Sequence, residues 1–122
     1  MSDGVYLRTR YVDPRRGEVR EREYAGNGDV WVVVDGAKTL WCHFDEAAVA
    51  AARRAVVDAD LAALDDIAAT GTDLATMTYE WQVGDSSGRF VDAAYPAVVP
   101  DALDRLEEAL LQLEESATGQ SD

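Results

Sequence analysis

The chain has 122 residues, room for one domain and one core. Twenty-four Asp and Glu stand against eleven basic residues, a net charge of −13, which excludes a phosphate-binding surface spread over the domain and with it a nucleic-acid binder. No apolar run approaches the ~20 residues of a membrane span, Met1-Ser2-Asp3-Gly4 opens no signal or transit peptide, and Cys42 as sole cysteine permits no intrachain disulfide and no multi-cysteine metal site; the reading is a cytoplasmic protein.

Val5 to Val12 alternates and is rich in strand formers. Asp13-Pro14-Arg15-Arg16-Gly17 predicts a turn, because Pro presets φ and Gly17 can take the left-handed position that closes a four-residue loop. The second strand runs from Glu18 to Tyr24. Pairing Asp13 with Glu18 sets Val12 against Val19, Arg10 against Glu21 and Arg8 against Glu23. A slip of one residue sets Arg10 against Arg20 instead. Favourable cross-strand pairs contribute ~0.2–1 kcal/mol each, so the charges select the first register. Gly26-Asn27-Gly28 turns the chain into Val30–Val34, and Asp35-Gly36 is a hairpin signal leading to Thr39–Phe44.

Asp45 reads as an N-cap, with Glu46 favouring the helix dipole. Val49, Ala52 and Val56 share a stripe of the helix that follows. Either Asp58 or Asp60 can cap a second short helix through Leu61, Leu64 and Ile67; a single longer helix is the alternative. Thr70-Gly71-Thr72-Asp73 ends the helical part. Met77, Tyr79, Trp81 and Val83 alternate with polar residues as a half-buried strand, and Gly84 to Gly88 turns into Arg89–Ala94. Pro100 opens the last helix. There Leu103, Leu106, Leu110 and Leu113 fall at helical spacing while Asp104, Glu107, Glu108, Glu114 and Glu115 face water. The predicted order β-β-β-β-α(α)-β-β-α implies an α+β two-layer sandwich: one antiparallel sheet of about six strands with helices on one face. Residues 1–116 form a single domain and 117–122 a frayed polar tail.

Cys42 and His43 are adjacent on a strand and point to opposite faces, so they form no dyad. Cys42 reads as a core thiol and His43 as structural or interfacial. No nucleophile triad, phosphate loop, dinucleotide fingerprint or zinc spacing occurs, so no catalytic residue, metal or cofactor is assigned. Asp58, Asp60, Asp65 and Asp66 lack the spacing of a calcium loop and read as solvated, cap-forming residues. The informative feature lies on the third and fourth strands. Val30, Val32 and Val34 form one apolar side, with Leu40, Cys42 and Phe44 on the same side of the next strand. Trp31, Val33, Trp41 and His43 then form a second apolar, aromatic island on the face that should meet water. Three readings compete for such an island: a surface for a protein partner or self-association, which leads, cover by the chain's own N-terminal or turn segments, and an exposed patch of no consequence.

Ten of the eleven basic residues are Arg, and fifteen Asp outnumber nine Glu. This balance resembles that of haloarchaeal proteins. At ~1 M salt the Debye length is ~3 Å, so carboxylate repulsion is screened. From Asp60 to Leu113 the layout also resembles emfourin-like small protein inhibitors of thermolysin-type metalloproteases. The shared look is Asp60-Leu61-Ala62-Ala63-Leu64, Tyr79-Glu80-Trp81-Gln82-Val83, the turn at Gly88, and Pro100 before the Leu103/Leu106/Leu110 helix. It covers somewhat under half the chain and carries over no inhibitory residue. The expectation is a non-enzymatic interaction or regulatory domain, inhibitor-like by resemblance. The alternative is a small acidic enzyme, or a subunit of one, working with pocket carboxylates.

Overall fold

The charged pairs of the first hairpin hold the register expected of them. The computed structural model describes residues 4–69, 74–95 and 99–119. In it β1 (Val5–Asp13) and β2 (Glu18–Ala25) pair antiparallel, with Asp13 opposite Glu18, Arg10 opposite Glu21 and Arg8 opposite Glu23. Arg8 reaches Glu23 at 3.2 Å and Arg10 reaches Glu21 at 3.7 Å. Gly17 closes the turn at φ +61°. Burial alone would raise the Asp13 carboxyl. The Arg15 N–H, the Tyr11 hydroxyl and the Arg15 guanidinium outweigh it and hold that pKa below the ordinary value.

β3 (Asp29–Val34) and β4 (Ala37–His43) follow, joined by Asp35 and Gly36, both at positive φ as a tight hairpin requires. β5 (Ala75–Val83) returns to the other side of β1, and β6 (Ser86–Tyr95) lies outside it. The result is one six-stranded antiparallel sheet in the order β4-β3-β2-β1-β5-β6. The last hairpin turns at Gly84 and Asp85, so β6 begins earlier than the Gly-rich segment suggests. Gly88 lies inside that strand, and a Cβ there would stand 2.7 Å from the Trp81 ring.

Asp45 caps α1 (Glu46–Ala59), its Oδ1 accepting the Ala48 N–H at 2.8 Å. The helix stops where Asp60 turns left-handed at φ +49°, and a single 3-10 turn, Leu61–Ala63, follows. The second short helix is thus this one turn, ending before Leu64 and Ile67, and no single long helix forms. The Pro100 carbonyl accepts the Leu103 and Asp104 N–H groups at the start of α2 (Asp101–Gly119). The helix is continuous from Asp101 to Gly119, so part of the expected 117–122 tail is helical. Residues 120–122 and the expected break at Thr70–Asp73 lie outside the described residues.

Both helices cover the same face of the sheet, α1 against α2 and β5, α2 reaching across to β4. The core between the layers takes Val49, Ala52 and Val56 from α1 and Leu103, Leu106 and Leu110 from α2, packed on Leu7, Tyr24, Tyr79, Trp81 and Phe90. A bulge between Val5 and Leu7 breaks the alternation of β1. Tyr6 and Leu7 are consequently both buried, with the Arg53 guanidinium of α1 5.2 Å from the centre of the Tyr6 ring.

The two edges of the sheet differ. On β6 the chain clamps one stretch of its own edge: Ile67 donates its N–H to the Val91 carbonyl and accepts the Ala93 N–H, while Asp66 Oδ1 accepts the Val91 N–H. A bulge beside this clamp buries Asp92 completely. Its Oδ1 accepts the Ala94 N–H, and its Oδ2 has no partner among the described residues. Burial raises its pKa above the ordinary 3.8. The folded state therefore favours the protonated acid, and stability falls as pH rises from the unfolded-state value through the folded one. Asp92→Asn is expected to raise stability at neutral pH by about 1–3 kcal/mol and to flatten that acid-side slope. Urea melts of both proteins between about pH 4 and 7 would check it; a less stable Asn variant would show that the carboxylate has a partner.

Candidate functional site

On the side away from the helices, the register of five strands sets Trp31, Glu23, Arg8, Glu80 and Arg89 side by side. Glu23 is bridged at 3.2 Å by both Arg8 and Lys38. Lys38 also lies over the Trp31 ring, 4.8 Å from its centre. Charges of alternating sign thus occupy most of this face, and an apolar corner remains on β3 and β4. That corner is made of Trp31, Val33 and Leu40.

Leu40 was expected inside and Trp41 outside. The structure reverses both, because a register shift between Val30 and Trp31 leaves β4 with an extra residue: Val30 faces Cys42, but Trp31 faces Leu40. Leu40 joins Trp31 on the outer face, 49% exposed. Trp41 moves to the helix side of the sheet, 52% exposed, with the Arg22 guanidinium 6.0 Å from its ring centre. His43 sits at the far end of β4, its Nδ1 2.9 Å from Asp29 Oδ1. The four residues of the expected island are therefore not one patch. Trp31 and Val33 stay together, Leu40 joins them, and Trp41 and His43 have other neighbours. A bulge leaves no mark in period-two alternation, which is why the exchange was not legible.

Between α2 and the sheet lies a cleft of about 550 Å³, bordered by β1, β2, β3 and the outer flank of the helix. Glu114 was expected to face water, yet it is only 4% exposed. Its Oε1 lies 3.0 Å from Arg22, and its Oε2 accepts the Tyr24 hydroxyl at 2.8 Å. Burial and the Glu114 charge push the Tyr24 pKa well up, so the phenol keeps its proton and donates. Further along, Tyr79 donates to Glu107, its pKa raised first by burial and then by that carboxylate. Arg20 lies over the Tyr11 ring and pairs with Glu18. Thr9, Met77, Leu110 and Val32 supply apolar lining. Sequence reasoning missed this cleft. Its signal was the alternation Arg20, Arg22, Tyr24, which places two guanidiniums and a phenol on the face β2 turns towards the helices.

Cys42 is buried as expected, and burial pushes its thiol up to about 11, which keeps it protonated and unreactive at neutral pH. Of the four aspartates in residues 58–66, Asp60 ends α1 and Asp66 binds the β6 edge, while Asp58 and Asp65 are exposed. Among the described residues no cluster of His, Cys, Asp and Glu could hold a metal ion, and no helix is long and apolar enough to cross a membrane. Compared with known proteins, the chain matches no family model and no curated protein.

Proposed function

We propose that this chain is a non-enzymatic interaction domain, a small regulator or inhibitor of a protein partner, working in a salt-rich cytoplasm. The observation that carries the reading is the corner of Trp31, Val33 and Leu40, an apolar contact surface set in a face of otherwise paired charges. Trp at such a place supplies a large rigid anchor, and the charges around it supply a polar rim. The acidic, Arg-rich composition supports the salt-rich setting. The rival reading, a small acidic enzyme, draws less support from the cleft. Glu114 and Glu107 there are each held by a partner, and the carboxylate that burial raises, Asp92, does not line it.

The resemblance of residues 60–113 to emfourin-like inhibitors points to a thermolysin-type metalloprotease as the partner to test. Titrating such a protease with the chain in ~2 M KCl, where carboxylate repulsion is screened, should remove peptide cleavage at near-equal molar ratio. Leu40→Asp should then weaken inhibition at least tenfold, roughly the cost of desolvating a charge at an apolar contact. Full cleavage at large molar excess would remove the inhibitor reading.

A further inference from the structure

We infer that a second copy of this chain pairs with the free edge of β4, the two strands antiparallel about a twofold axis. The first observation is the contrast between the edges. β6 is clamped at Val91–Ala93 by Ile67 and Asp66 of the same chain, whereas among the described residues nothing pairs with any part of the outer edge of β4. An open edge is a template for another strand unless charge or proline guards it. β4 has no proline, and its one guard, Lys38, is drawn away between Glu23 and the Trp31 ring.

The second observation is electrostatic. In a chain of net charge −13, β4 (Ala37–His43) is the one described strand without a carboxylate, and it carries the only Lys and the only His. Two copies repel across most of their surfaces. This strand is where they can approach without setting carboxylate against carboxylate. A sheet edge is also self-complementary through its backbone groups, as a twofold contact requires. The third observation is apolar cover. Leu40 on one face and Trp41 on the other flank the edge, both about half exposed. Pairing here would shield both and set the two Trp31–Leu40 corners side by side. The bulge at Trp41 confines regular pairing to Ala37–Leu40. Leu40 belongs to both this contact and the proposed partner surface, whereas Trp41 belongs to this contact alone, so Trp41→Glu and the mass in solution separate the two readings.

Sedimentation and light scattering in ~2 M KCl test the proposal, since salt screens the remaining repulsion. The wild type should show twice its 13.3 kDa mass at high concentration and dissociate on dilution. Leu40→Glu and Trp41→Glu should each weaken the dimer at least about tenfold while circular dichroism shows the fold intact. Hydrogen exchange on the wild type needs no variant: the amides of residues 37–40 that point away from β3 should gain protection as concentration rises, and those of β6 should not. A 13.3 kDa particle across the whole range, or edge protection that ignores concentration, would overturn the inference.

Discussion

Replacing Arg22 by methionine is expected to cost about 3–5 kcal/mol, because it strands the Glu114 carboxylate under α2 with only the Tyr24 hydroxyl. The pair is asymmetric. Glu114 is almost fully buried, while the Arg22 side chain keeps 37% of its surface exposed. Glu114→Gln leaves a guanidinium that can still reach water and an amide oxygen that can still accept from Tyr24. It should therefore cost less, about 1–2 kcal/mol. Urea midpoints at unchanged slope would separate the two. Equal losses would mean that the Glu114 carboxylate is solvated once Arg22 is gone. Arg22→Met combined with Glu114→Leu should recover much of the loss, since a buried pair replaced by packed apolar side chains is often neutral. Salt should change these differences little, as buried pairs are poorly screened.

Gly28→Ala should be comparably severe. Gly28 has φ +102°, and a Cβ there would collide with the Phe44 carbonyl oxygen and stand 2.8 Å from His43 Cε1. The Phe44 N–H also donates to the Gly28 carbonyl at 2.7 Å, so the turn before β3 is fastened to the chain just beyond β4. Backbone strain and the clash together should cost about 3–5 kcal/mol. Gly36→Ala is the control. It shares a positive φ of 86° but has nothing within 4 Å of its would-be Cβ. It should lose only about 1–2 kcal/mol. If thermal melts of the two variants coincide, the collision at Gly28 is relieved by movement of the end of β4.

The six-stranded sheet and its helices were legible because each element carries its own signal: alternation in β5, Asp35-Gly36 before β4, Asp45 before α1. The register of β1 on β2 was legible for a further reason, since opposite charges lay at matching positions and a slip would have paired like with like. The candidate surface was half legible. Trp31 and Val33 follow strict alternation, but the extra residue in β4 is set by pairing with β3, which no local pattern records. Glu114 was misplaced because helical spacing shows which way a residue points on its own helix. It does not show that Arg22, ninety-two positions earlier, waits across the gap. The end of α1 at Asp60 was ambiguous, as either of two aspartates could cap a following helix. A left-handed Asp60 decided it.

The position of β1 between β2 and β5 has a kinetic consequence. The meander from β1 to β4 and the β5–β6 hairpin each form through neighbours close in the chain. Among the strand pairings, only the seam where Leu7 meets Trp81 and Thr9 meets Tyr79 joins residues about seventy positions apart. Closing that seam is expected to be the slow event in refolding, because the loop must be ordered before its contacts reward it. Interactions confined to the β3–β4 corner do not depend on that seam and should change unfolding more than refolding when substituted. Substitutions along the seam, by contrast, should slow refolding more than they hasten unfolding. The corner proposed as a partner surface thus lies on the half of the sheet whose strands pair only with neighbours close in the chain.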